Sequence, residues 1–438
     1  MATLDAPMNM LKRCFTILIL HSAVNVNAPS AMAQRVNYEE APISYSLAVP
    51  ENEISKLQAK LDAGEHKLQF EDTRGYLKSL LDTLEISPSS QVLSFSRTSL
   101  QDDKISPKTP RAIYFNDEVH LGFVQGGVIE IAARDPKLGM VFYTLKQEDA
   151  EAPVFKRQTN SCLTCHGAAR TKNVPGLLVR SVYPDPGGHP VVAAGSFLST
   201  HKSPLNQRWG GWYVTGTHGD QAHIGNLTLT TPKKPKVVDN SAGHNITDLK
   251  DRFDGAPYLT LHSDIVALMV LEHQTDTFNV LTQASFEVRH ALYLREQAAQ
   301  GDAAAIEANE KSYAQRLQKA TEQVVKSLLF SEETKLTAPI VGTSTFTQDF
   351  SARGTKDSQG RSLREFDLKT RMFRYPCSYL IQTPAFDELP AELKSSIGQR
   401  MKAILNVETP EKGFEHLTAD DRTALLAILA ETSPGLIH

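Results

Sequence analysis

AIYFNDEVHLGFVQGGVIEIAARDPKLGMVFYTL, residues 112–145, is a succession of short runs rich in Val, Ile, Phe and Tyr. Asn116-Asp117, Gly126-Gly127 and Asp135-Pro136-Lys137-Leu138-Gly139 separate them, and each is turn chemistry. Together with 91–96, the runs at 112–115, 120–124, 128–132 and 140–145 predict an antiparallel meander. Upstream, Ile54, Leu57 and Leu61, then Tyr76, Leu77, Leu80, Leu81 and Leu84, recur at three and four residues, so 51–86 reads as helix. Downstream, 156–161 is a polar loop, and 177–183 and 190–194 read as further strands around a turn at 184–188. Residues 231–260, rich in Pro, Lys, Asp, Asn and Gly, read as a linker or long loop.

Beyond the loop the period becomes helical. Ser263 or Asp264 can cap a helix whose apolar positions are Val266, Met269, Val270, Val280, Leu281, Ala284, Val288 and Leu292. Residues 296–330 form an alanine-rich, charge-laced helix, 342–360 is loop by composition, and two helices close the chain, the last announced by Thr418-Ala419-Asp420-Asp421. The expected fold class is α+β, an N-terminal mixed domain with an antiparallel sheet followed by a mainly α-helical C-terminal half. The division is 1–33 signal peptide, 34–230 mixed domain, 231–260 linker and 261–438 helical domain.

Directly after the sheet stands Asn160-Ser161-Cys162-Leu163-Thr164-Cys165-His166-Gly167, the one place where residue types dictate a chemistry. In a C-x-x-C-H run the two thiols can add across the vinyl groups of a haem, and the adjoining imidazole can bind its iron. With four Cys and 14 His in 438 residues, the pattern arises by chance on the order of once in a thousand such chains. Three blander readings compete: half a zinc site, a redox dithiol, and an unremarkable cysteine pair. A structural zinc wants a second close pair of Cys or His, and none lies near 162–166. A dithiol has no use for the histidine and wants a strand just before a helix. The reading is one covalent haem c on Cys162 and Cys165, with His166 as proximal iron ligand. His120 and Met140 read as ordinary sheet residues, although either can face the haem.

The N-terminus supports this independently. Lys12 and Arg13 precede an apolar core at 14–20, and Ala31-Met32-Ala33 makes a small-x-small cleavage site, the pattern of a secretory signal cut after Ala33. The expected location is periplasmic or secreted, with no membrane span. Residues 1–33 carry Asp5, Lys12 and Arg13, a net +1, so their removal moves the formal charge from −4 to −5. No basic block long enough to follow a phosphate backbone is present, which disfavours nucleic acid as partner. Cys377, the third cysteine of the mature chain, reads as a small buried apolar side chain.

The block 208–219, RWGGWYVTGTHG, holds both tryptophans and four glycines, which let backbone approach something flat and bulky. His218 or His223 can line the distal side of the haem, or the block is a packed turn whose histidines bond backbone. Arg208 can pair with a haem propionate or make a surface ion pair. His273 lies on the helical stripe after 264, as a core histidine or a third distal candidate; Met372 is a conceivable ligand. Glu272, His273, Glu287 and His290 invite a di-iron reading, but a second Glu-x-x-His is missing.

The motif puts the chain among c-type cytochromes in the broad sense. The longer pattern, 112–117, 142–145, the motif itself and 208–219, resembles exported bacterial single-haem cytochrome c domain proteins. That resemblance implies covalent haem at Cys162 and Cys165 and an axial bond from His166, and it supplies neither a second ligand nor a reaction. A carrier needs only about 100 residues to wrap its haem, so most of the chain must shape a pocket or dock partners. The expected function is periplasmic electron transfer with redox partner proteins. The alternative is a haem c enzyme, peroxidase-like or acting on another small substrate, with an open distal site.

Overall fold

The structure, a computed structural model, describes residues 36–231 and 238–437; the expected signal sequence and the basic part of the 231–260 segment lie outside them. Residues Asn37–His438 form one compact unit. Its N-terminal half is built on a six-stranded antiparallel sheet of β1 (Val92–Ser94), β2 (Arg111–Phe115), β3 (Val119–Phe123), β4 (Ile129–Asp135), β5 (Gly139–Leu145) and β6 (Lys156–Gln158), in sequential order. The first five match the expected meander. The sixth corrects the polar loop expected at 156–161: Lys156 pairs with Thr144 and Gln158 with Phe142. An edge strand with one solvated side needs no apolar alternation, so its pattern was silent.

Other expectations shift for local reasons. The helix expected over 51–86 is two, α1 (Glu53–Asp62) and α2 (Leu77–Thr83). Asn52 starts the first with a capping box, and Gly64, at φ +70°, lies just past its end. The strand expected at 190–194 lies later, with β7 (Arg180–Val182) pairing β8 (Ser196–Leu198) and a 3-10 turn filling 192–194. Thr217 pairs with Val341, joining β9 (Gly216–Thr217) to β10 (Val341–Gly342). Residues 342–360 contain one short helix.

After α3 (Leu163–His166), the C-terminal half is helical: α4 (Ile265–Ala298), α5 (Ala303–Leu328), α6 (Phe346–Ala352), α7 (Pro384–Asp387), α8 (Ala391–Leu405) and α9 (Ala419–Thr432). Helix α4 is the central rod. From Ile265 to Leu281 almost every side chain is buried, the mark of a helix surrounded on all sides. Its start is fixed by Asp264, fully buried, whose carboxylate accepts from the backbone N–H groups of Val266, Ala267, Thr343 and Ser344. Beside it, Ser263 Oγ donates to Tyr213 O and accepts from Leu93 N, tying the helix to β1 and to the tryptophan block. The segment 238–260 has no regular strand or α-helix but buries Leu249, Phe253 and Tyr258.

Candidate functional site

Cys162 caps the single turn of α3, which carries Cys165 and His166, and all three line one cavity of about 570 Å³. Residues three apart on a helical turn share a side, so the turn aims both sulfurs the same way. The floor is one face of the sheet: Arg111 and Ile113 of β2, His120 and Gly122 of β3, Glu130 and Ala132 of β4, Phe142 and Thr144 of β5. Register aligns His120 with Ala132 and Ala132 with Phe142. Ala132 keeps the row between His120 and Phe142 low, whereas the Arg111 and Glu130 side chains flank the space over Gly122. Leu271 and Thr275 of α4 and Leu177–Arg180 supply further lining. At 300–1,000 Å³ a cavity suits a cofactor-sized ligand.

His166 is held by its neighbours. Its Nδ1 lies 2.9 Å from the Gly176 carbonyl and its ring packs 5.0 Å from Phe142. Burial pushes the imidazole below its ordinary pKa, against the bond to Gly176. A neutral ring that donates from Nδ1 keeps its Nε2 lone pair free, the tautomer a metal needs. Gly176 in turn donates its N–H to His166 O at 2.8 Å. A Cβ at Gly176 would stand 2.0 Å from Asn279 Oδ1, so only glycine admits this approach. Asn279, on α4, accepts from Leu177 N at 3.0 Å and donates to Leu177 O at 2.6 Å. Two more ties from α4 hold the loop: Asp276 pairs with Lys172 at 3.0 Å, and Gln283 donates to Lys172 O.

The thiols bear on the competing readings. A strand, β6, does precede α3, as a dithiol would want. Burial pushes the Cys162 thiol up to about 11, the opposite of the depressed value that makes a reactive thiolate. Among the described residues no three His, Cys, Asp or Glu side chains are grouped to hold a bare metal ion.

Two further features of the cavity stand out, the first of them absent from the sequence reading. Arg111 pairs with Glu130 at 2.7 Å, and Ser99 Oγ and Gln101 Nε2 donate to the same carboxylate. Burial raises Glu130, but Arg111 and these donors outweigh it and hold the carboxyl below its ordinary value. Arg170 and Arg180 line the cavity with exposed or half-buried guanidinium groups; burial first, then Arg170, lowers the Arg180 pKa. The second feature is His120. It is 6% exposed, and neither ring nitrogen has a hydrogen-bond partner. Leaving a buried polar group unpaired costs about 1–3 kcal/mol. Burial pushes its pKa down to about 3, so the ring is neutral.

The other candidates lie elsewhere. His218 and His223 are not among the cavity's lining residues; with His244 they make a cluster of rings 4.7–5.4 Å apart. His218 Nε2 accepts from Asn245 N and His223 Nδ1 from Gly225 N. His273 is also absent from the lining: it stacks on Phe330 at 4.3 Å and bonds Ser378 Oγ at 2.8 Å. Arg208, 2% exposed, is no surface ion pair; it bonds Glu272 and the carbonyls of His201 and Ser203, and Trp209 Nε1 donates to the other Glu272 oxygen. Met140 and Met372 are buried outside the lining. Cys377 is fully buried, its thiol pushed up to about 12 by burial. No helix among the described residues is long and apolar enough to cross a membrane. Compared with protein-family models, curated proteins and solved structures, the chain has no match.

Proposed function

We propose that this chain is an exported, periplasmic c-type cytochrome that carries one covalent haem and transfers electrons to and from redox partner proteins. The observation that carries the reading is that Cys162, Cys165 and His166 share one helical turn on the wall of a cofactor-sized cavity. The residues fit the group. The Cys162 and Cys165 sulfurs would each add to a vinyl group, sulfur to one carbon and the thiol hydrogen to the other, so nothing is lost. His166, fixed by the Gly176 carbonyl, would give Nε2 to the iron, and Arg170 and Arg180 are guanidinium partners for propionates. A bound haem supplies a one-electron ferrous–ferric couple. The protein's part is to set its potential through burial and ligation.

A haem enzyme with an open sixth position is the second reading, favoured by the Arg111–Glu130 pair inside the cavity. Arg111 would there stabilise developing negative charge, since Arg208, His218 and His223 do not line the cavity.

The test is the intact mass of the mature protein made in a host with a working haem-attachment apparatus. Its mass should equal polypeptide plus one haem, and Cys162→Ala with Cys165→Ala should remove haem that survives denaturing electrophoresis. Colourless wild-type protein of bare polypeptide mass would overturn the reading.

A further inference from the structure

We infer that His120 is the second axial ligand of the iron, closing the sixth position against exogenous ligands. The inference rests on the haem reading above and adds a ligand that neither the motif nor the resemblance supplies.

Among the described residues His120 is the histidine with both ring nitrogens buried and unpartnered. The contrast with its peers is chemical. His166 spends Nδ1 on Gly176, His218 and His223 each accept from a backbone N–H, and His273 bonds Ser378. Every other candidate named from the sequence has a protein partner for at least one nitrogen. His120 has none, although it stands in the middle strand of a hydrogen-bonded sheet. Ligation would give its lone pair the partner that the fold withholds.

The position suits the role. His120 and His166 line the same cavity, and the sheet between them carries only Ala132 in the row that runs from His120 to Phe142, under the His166 ring. The ring is also pre-oriented. Phe115, its cross-strand partner, lies parallel at 10° and 5.9 Å, and Phe278 of α4 meets it edge-on at 83° and 6.2 Å. A ligand locked by packing on rigid elements loses little freedom when the metal arrives. Phe115, directly across from it, shows how readily an apolar residue would fill such a place; an imidazole there calls for something to bind.

Two imidazoles on one iron give low-spin, six-coordinate ferric haem. The experiment is the ferric absorption and electron paramagnetic resonance spectra of the haem-loaded protein and of His120→Phe and His120→Ala. The phenylalanine variant keeps a ring in contact with Phe115 and Phe278, and far-ultraviolet circular dichroism checks that it folds. Expected are a low-spin wild type that does not take up cyanide, high-spin variants that do, and return of the low-spin spectrum in His120→Ala on adding free imidazole. A high-spin wild type, or haem-loaded variants with an unchanged low-spin spectrum, overturns the His120 assignment and leaves covalent attachment standing. A wild-type mass without haem overturns both, which separates the two failures.

Discussion

At the scale of single residues, the molecule is marked by imidazoles buried in the neutral form. His273 is the clearest case outside the cavity: fully buried, it has its pKa pushed down to about 3 by burial, against an ordinary 6.5. The folded state therefore binds fewer protons than the unfolded chain between those values, so stability is fully present above about pH 6.5 and falls as pH drops toward 3. At pH 4 the loss from this one group is about 3 kcal/mol. His273→Gln keeps a hydrogen bond for Ser378 without a titrating ring. Its denaturant midpoint should vary less between pH 7.5 and pH 4 than that of the wild type; equal variation would exclude His273 as a source of acid sensitivity. The same scale separates what could be read in advance from what could not. That Cys162, Cys165 and His166 stand together was legible because they are neighbours in the chain. His120 reads from the sequence as a sheet histidine that can also face a haem, and the letter does not tell an unpaired imidazole from a satisfied one.

At the scale of elements, α4 does two jobs that its sequence announces only as apolar periodicity. It fills the core through 265–281, and it clasps the segment after His166 through Asp276, Asn279 and Gln283. Asn279 matters most, since its amide satisfies both backbone groups of Leu177, next to the glycine whose carbonyl orients His166. Asn279→Ala should cost about 1–3 kcal/mol, two part-buried hydrogen bonds at roughly 0.5–1.5 kcal/mol each. If the proposed haem is bound, it should also shift the reduction potential by loosening His166, whereas Asn279→Asp, which keeps the acceptor, should retain part of both. Urea titration and redox potentiometry read the two effects; unchanged values in both would remove Asn279 from this chain of support. The periodicity of α4 was plain in the sequence, but the polar residues interrupting it carried no signal of their targets, all about 100 residues away.

At the scale of the whole molecule, the expected halves are joined through shared parts. Asp264 and Ser263 bind β1, the block after Arg208 and the β10 segment to the start of α4. Trp209 and Arg208 close on Glu272 in the next turns of that helix. Burial raises Glu272 to about 7 against the pull of Arg208 and Trp209, so this buried pair is bought with desolvation and breaks badly if one partner is removed. With Asn37–His438 a single compact unit, unfolding should be cooperative across the sheet and helices. Tryptophan emission from Trp209 and Trp212 and far-ultraviolet circular dichroism, dominated by the helices, should lose their signals at the same urea concentration in the Cys162→Ala, Cys165→Ala protein. Two separated transitions would mean that the halves fold independently.

The sequence by itself determined the meander, the long helices and the presence of one C-x-x-C-H run, because each depends on neighbours within one strand, turn or helical face. Only the tertiary structure decided which histidine meets the cavity, that Arg208 belongs to Glu272 and that Arg111 and Glu130 face the cavity together. Those outcomes depend on strand register and on α4 crossing residues far from it in the chain, and burial then fixes each group's charge and its free lone pairs.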